Sequence, residues 1–184
     1  VEVERRCEKH GWKTILITSS LENEGKSSVL SNLGLALAEN HKKVLLIDGD
    51  LRKPALHKIF EKESNDGLRK VLEGKADLQD VIIRDEQSSL DLLLGHSSFT
   101  DAGDQLDGER MRDILKEARE RYDYVLVDSV PSALFTDAVT LARLCDTCLL
   151  VVRQNFISVK VVAETLEKVK LARVPIFGYV LNQK

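Results

Sequence analysis

Thr14-Ile15-Leu16-Ile17-Thr18-Ser19-Ser20-Leu21-Glu22-Asn23-Glu24-Gly25-Lys26-Ser27-Ser28 is the stretch whose reading decides the fold. Its first five residues are an apolar, β-branched run, as a strand buried in a parallel sheet requires. After it, Val29, Leu30, Leu33, Leu37 and Ala38 recur at helical spacing, so a helix from about Gly25 to Asn40 is predicted. Between strand and helix lies a tight loop ending in Gly25-Lys26-Ser27. A helix opening there offers unpaired N–H groups and the positive end of its dipole. Lys26 adds a full charge, and the Ser27 hydroxyl can ligate Mg²⁺. The phosphate-loop pattern G-x-x-x-x-G-K-[ST] is met at Gly25, Lys26 and Ser27, with Ser20 in place of its first glycine. Glu22, Asn23, Glu24, Gly25, Lys26, Ser27 and Ser28 are thus the expected surroundings of a phosphate. The plain alternative, a surface turn with an incidental Gly-Lys-Ser, is opposed by the strand before it and by the acidic segments further on.

Outward from this loop, strands and helices alternate. Lys43 to Asp48 reads as a second buried strand, running into Asp48-Gly49-Asp50. Pro54 is placed to open a short helix ending near Phe60. Glu61 to Asp66 is a polar loop, Gly67 to Leu72 a helix stopped by Gly74, Leu78 to Ile83 an amphipathic turn or two, and Leu90 to Gly95 a short strand. His96 to Gly108 has no core pattern and reads as a mobile loop. Glu109 to Arg121 is helical, with Met111, Ile114, Leu115 and Ala118 on one face. Val125 to Asp128 is a strand ending on a carboxylate. Thr136-Asp137 is placed to cap a helix to Leu144, Thr147 to Arg153 is a strand, Ser158 caps a helix from Val159 to Ala172, and Pro175 to Leu181 is the last strand. The pattern is α/β, a mainly parallel central sheet with helices on both faces. Residues 1–13 form a charged lead-in, read as a solvated helix face, and residues 14–184 form the nucleotide-binding domain.

Composition narrows the function. The 184 residues, 43% hydrophobic and 31% charged, suit one domain with a sizeable core. A net charge of −3 gives no basic surplus for nucleic acid or anionic lipid. No apolar run approaches the ~20 residues of a membrane span, and no signal peptide opens the chain. The first residue is Val1 and the only methionine is Met111, which reads as a fragment of a longer product or a processed chain, with any membrane anchor outside it. Cys145-Asp146-Thr147-Cys148 has C-x-x-C spacing but no second ligand pair, so a structural role for its thiols is expected.

Three strands end on chemistry: Thr18 feeds the phosphate loop, Ile47 feeds Asp48, and Val127 feeds Asp128. Right-handed crossovers bring those ends to one edge of the sheet, where ligands of such folds bind. Lys26 would cancel charge on the β- and γ-phosphates. Ser27 and a carboxylate would hold Mg²⁺, which keeps several of its waters. Asp48 and Asp50 both face the site if the chain bends at Gly49. One then serves the metal and the other accepts a hydroxyl proton.

These residues carry a resemblance. Val44-Leu45-Leu46-Ile47-Asp48-Gly49-Asp50-Leu51-Arg52-Lys53-Pro54 resembles the extra acidic motif, Walker A′, of the bacterial tyrosine kinases of capsule and exopolysaccharide assembly. Tyr122-Asp123-Tyr124-Val125-Leu126-Val127-Asp128-Ser129-Val130-Pro131 resembles their Walker B. Thr136-Asp137-Ala138 and Val180-Leu181-Asn182 fall where the family has such residues. The resemblance spans Thr14 to Lys184, and the Leu-Arg-Lys-Pro extension separates it from partition and septum-site ATPases. It implies a P-loop NTPase fold of the partition-ATPase type and an ATP- and Mg²⁺-dependent tyrosine kinase. In it, Lys26 binds phosphate, Asp48 activates the incoming tyrosine hydroxyl, Ser27, Asp50 and Asp128 serve the metal, and Asn182 approaches the adenine. It also implies a place at the cytoplasmic face of the membrane, a transmembrane activator or fused membrane segment, homo-oligomeric rings and protein tyrosine substrates.

The chain departs from that family in three places. Glu22-Asn23 stands where Pro-Gly is usual, which sets a negative charge beside the triphosphate unless Glu22 points away. Ser129-Val130-Pro131 replaces Thr-Pro-Pro. The tyrosine cluster is absent: the tyrosines are Tyr122, Tyr124 and Tyr179. Glu2, Arg5 and Glu8 match the family's ring-forming Glu-x-x-Arg-x-x-Arg helix only in part, and that contact is not carried over. Two other functions fit the same residues: a weakly catalytic nucleotide-binding scaffold of a polysaccharide exporter, and a partition-type ATPase. The latter usually carries a second lysine in the loop, and Leu21 to Glu24 contains none.

Overall fold

The computed structural model describes residues 2–95, 106, 108–132 and 137–183. In chain order its elements are α1 (Glu2–His10), β1 (Thr14–Ser19), α2 (Lys26–Glu39), β2 (Val44–Asp48), α3 (Leu56–Ile59), α4 (Gly67–Leu72), α5 (Leu78–Val81), β3 (Ile83–Asp85), β4 (Leu90–Leu93), α6 (Glu109–Arg121), β5 (Tyr124–Asp128), α7 (Asp137–Leu144), β6 (Thr147–Arg153), α8 (Val159–Leu171) and β7 (Ile176–Asn182). The strands form one sheet in the order β3-β4-β2-β5-β1-β6-β7. Every pairing is parallel except β3 with β4.

The apolar runs follow from this order. β1, β2 and β5 are buried along their whole length, because helices cover both faces of the sheet. Alternation along each strand divides its residues between two cores. Leu16, Leu45, Ile47, Val125 and Val127 pack on one side with α4 to α7, through Leu68, Leu78, Met111, Ile114 and Leu141. Ile15, Ile17, Leu46 and Leu126 pack on the other with Cys7, Leu30, Leu37 and Leu56. The register sets Asp48 beside Asp128 and Ile17 beside Asp128, so three strand ends reach one level of the sheet.

Several expectations are revised. The segment Leu78 to Ile83 is not helical throughout: α5 stops at Val81 and Ile83 opens the antiparallel strand β3. Three residues are too few to show a period of two; β3 is held by its ladder to β4 and by Ile83 against the core, with the cross-strand pair Arg84–Asp91 at 2.8 Å on the same rung. Pro54 does not open α3, whose N-cap is Ala55. The lead-in is more than a solvated face: α1 drives Cys7 into the core and lays the Arg6 guanidinium 4.4 Å from the Phe177 ring centre. The loop expected over 96–108 falls mostly outside the described residues, but Leu106 is fully buried in the core. Thr136, the expected cap partner, also lies outside them. Ser158 does cap α8, accepting from Val161 N.

Cys7, Cys145 and Cys148 are buried and unpaired with one another. Burial pushes the Cys7 thiol up to about 11 and Cys148 to about 12, which keeps both protonated. Among the described residues no helix is long and apolar enough to cross a membrane.

Candidate functional site

The loop after β1 is held from three directions. Glu24 is fully buried, and both of its carboxylate oxygens are occupied: one accepts from Leu21 N at 2.6 Å and the other from Arg153 N, at the end of β6, at 3.0 Å. Its side chain therefore ties the loop to the sheet rather than facing a phosphate. Arg153 also donates to the Asn23 carbonyl at 3.1 Å, and Asn182 Nδ2 donates to the Glu24 carbonyl at 2.9 Å. Asn23 and Gly25 both adopt left-handed backbone, with φ of 62° and 91°. Asn is among the side chains that tolerate this, so the turn survives without the Pro-Gly pair. Gly25 has a second reason to lack a side chain: a Cβ there would lie 2.2 Å from Asn182 Nδ2.

The helix that follows aims its first residues at two acidic strand ends. Lys26 Nζ lies 3.1 Å from Asp50 Oδ2 and 3.8 Å from Asp128 Oδ1, and Ser27 Oγ donates to Asp128 Oδ2 at 2.5 Å. Asp50 Oδ1 accepts from Lys53 N at 2.9 Å. The chain does bend between Asp48 and Asp50, where Gly49 N donates to Ile47 O. Gly49 passes so close to β5 that a Cβ would meet the Asp128 carbonyl at 2.5 Å.

Burial works against the Lys26 charge, but Asp128 and Asp50 outweigh it and hold its pKa above the ordinary lysine value. For Asp128, burial is the larger effect: its carboxyl titrates above the usual range although Lys26 and Ser27 oppose this. Asp48 is pushed up further, by burial and then by neighbouring Asp128. One Asp48 oxygen accepts the N–H groups of Ala55 and Leu56, both at 3.0 Å, and so caps α3 from a distance. The other, Oδ1, is buried without a hydrogen-bond partner, as is Ser20 Oγ.

A cavity of about 390 Å³ opens beside these groups, bordered by Glu22, Asn23, Gly25, Lys26, Ser27, Ser28, Asp50 and Lys53. The fold thus brings Lys26, Ser27, Asp48, Asp50 and Asp128 together at the carboxyl ends of β1, β2 and β5. Asn182 stands behind the loop rather than in this cavity. Among the described residues no three carboxylate, thiol or imidazole groups converge closely enough to hold a metal alone.

A family model described as an AAA domain matches residues 12–176. The tyrosine-protein kinase YwqD of Bacillus subtilis (strain 168) is 31% identical over 172 residues, which cover 94% of this chain and 73% of that protein. The chain belongs to the bacterial tyrosine-protein kinase family. It spans 23% of the length of longer members that it matches. The kinase domain of Escherichia coli tyrosine kinase ETK has the same fold, with a TM-score of 0.93 at 30% identity over 98% of this chain and 71% of that one. The septum site-determining protein MinD of Pyrococcus horikoshii OT3, solved in complex with Mg-ADP, is more distant, with a TM-score of 0.79 at 27% identity over 92% of this chain and 69% of that one.

The sequence alone did not point to three polar contacts that shape the site. Glu22 pairs with Lys53 at 2.6 Å, so its charge is met rather than left against a phosphate. Arg52 clamps Asp137 at 3.0 Å, joining the acidic segment after β2 to the start of α7. Arg153 and Glu24 brace the loop. Each links residues far apart in the chain, and no local pattern in the sequence signals any of them.

Proposed function

We propose that this chain is the ATP-dependent protein-tyrosine kinase domain of a capsule or exopolysaccharide system. In this reading it works at the cytoplasmic face of the bacterial membrane beside a transmembrane activator or fused membrane segment. The observation that carries the reading is the Lys26 ammonium set between Asp50 and Asp128, with Ser27 on the same Asp128 carboxylate. The donor set fits a magnesium–nucleotide. Ser27, Asp50 and Asp128 offer hard oxygen ligands, too few to enclose the ion alone, as suits a cation that shares its shell with phosphate and water. When bound, the ion would neutralise charge developing on the transferred phosphoryl group.

The protein groups then divide the work. Lys26 and the N–H groups at the start of α2 hold the phosphates. Asp128 keeps Ser27 oriented. Asp48, whose Oδ1 has no hydrogen-bond partner, is the group placed to take the proton of a tyrosine hydroxyl once it has lost its own, and burial beside Asp128 makes its carboxylate a stronger base than an ordinary aspartate. Tyr122 and Tyr124 are buried, and Tyr179 lies within β7, so the acceptor tyrosine comes from another protein, another copy or a segment outside this chain.

The test is transfer of labelled phosphate from ATP and Mg²⁺ to a tyrosine-rich peptide. Transfer lost in Lys26→Met supports the reading, and no transfer by the wild-type chain beside its membrane activator removes it. A second reading, nucleotide binding without transfer, is favoured by one observation: Asp48 is buried and already engaged in capping α3. ATP binding with no tyrosine transfer would select it, and hydrolysis with nucleotide-dependent dimerisation would select a partition-type ATPase.

A further inference from the structure

The rim of the phosphate cavity carries a second lysine, Lys53. Lys53 and Glu22 face each other across the mouth, with Nζ 2.6 Å from Oε2. Lys53 comes from the segment after β2 and Glu22 from the loop after β1, so the pair bridges the two arms of the site. The backbone N–H of Lys53 is fixed to Asp50 Oδ1, while Asp50 Oδ2 holds Lys26 Nζ. Both lysines are therefore anchored on one carboxylate. Lys26 is largely buried and committed to two acids, whereas the Lys53 side chain is 69% exposed and its ion-pair partner among the described residues is Glu22, itself 38% exposed. An exposed pair of this kind is weak and readily exchanged.

The charges around the cavity make such an exchange favourable. A polyphosphate carried in with one divalent ion keeps a net negative charge, and Asp50, Asp128 and Glu22 outnumber the Lys26 ammonium that meets it. A lysine is a mobile point charge on a flexible stem, suited to follow an anion over a few ångströms.

We propose that Glu22 parks Lys53 at the cavity mouth, and that Lys53 leaves it for the terminal phosphate of a nucleoside triphosphate. Glu22 in place of the family's usual Pro-Gly start is then a competitor for the Lys53 ammonium, and sets how strongly the site prefers a triphosphate over a diphosphate. The inference rests on the nucleotide-binding part of the proposed function.

The experiment is titration of a fluorescent ATP analogue and a fluorescent ADP analogue, each with Mg²⁺, into the wild-type chain, Lys53→Met, Glu22→Gln and the double variant, with the thermal transition of each variant checked against the wild type. Lys53→Met should weaken the triphosphate about tenfold, the loss of one charge-assisted contact, and the diphosphate less than threefold. Glu22→Gln should tighten the triphosphate, and that gain should vanish when Lys53 is already methionine. Equal loss for both nucleotides, or none, in a folded Lys53→Met overturns the inference and leaves the proposed function standing. No binding of either nucleotide by the wild-type chain overturns both.

Discussion

Lys26 has two partners in the folded chain, and Lys26→Met removes a countercharge as well as a phosphate contact. We expect it to cost about 1.5–3 kcal/mol of Mg-nucleotide affinity, roughly 10- to 100-fold, measured by calorimetric titration. Asp128 sets a pH dependence with a definite sign. Its carboxyl titrates above the ordinary aspartate value of 3.8, and a cation must displace that proton to bind. Mg-nucleotide affinity should therefore fall as pH is lowered, starting above the usual carboxylate range, and Asp128→Asn should bind weakly with a flatter profile. Asp48 gives the matching effect on stability. Its pKa is higher in the folded than in the unfolded chain, so the native state keeps a proton that the unfolded chain loses. This group favours the fold at pH below the ordinary aspartate value, and that contribution drains away as pH rises through the folded pKa. Asp48→Asn keeps an oxygen for Ala55 and Leu56 N–H but does not titrate. The difference in unfolding free energy, wild type minus variant, should decline with rising pH across that window in denaturant titrations. At this scale the sequence made Lys26, Ser27, Asp50 and Asp128 legible, because strand-end carboxylates and a Gly-Lys-Ser helix start are local signals. It did not reveal that Glu24 faces inward, because the Arg153 N–H that occupies it lies 129 residues away.

Among the elements, the loop after β1 depends on left-handed backbone that its own residues only partly favour. Gly25→Ala meets both an unfavourable φ and the Asn182 amide, and should destabilise the chain by about 1–3 kcal/mol in chemical denaturation. Asn182→Ala should recover the part due to the contact and leave the part due to φ, so the two changes should not add. The acidic segment after β2 is tied to α7 through Arg52 and a nearly buried Asp137. Arg52→Met strands that carboxylate. The half-exposed arginine brings the cost down from that of a fully buried pair to about 1–2 kcal/mol, read as a lowered midpoint of unfolding. Long apolar strands and the amphipathic α6 were legible from period alone. β3 was not, since three residues carry no period, and neither was the start of α3, where a distant carboxylate rather than Pro54 supplies the cap.

For the molecule as a whole, the order β3-β4-β2-β5-β1-β6-β7 is what makes a site of scattered residues. β5 enters between β2 and β1, so Asp128 arrives between the acidic segment and the phosphate loop, although it lies 101 residues beyond Ser27. Alternating strands and helices announced a parallel sheet, and right-handed crossovers announced that the strand ends share an edge. Strand order itself is set by which apolar faces find each other, and no local pattern states it. The most direct measurement is a crystal structure of the chain with Mg²⁺ and a non-hydrolysable ATP analogue. The terminal phosphates should lie in the cavity against Lys26, with the ion on Ser27 Oγ at about 2.0–2.1 Å and on Asp50 or Asp128 directly or through one water. A nucleotide bound elsewhere, or an ion touching none of these oxygens, would contradict that arrangement.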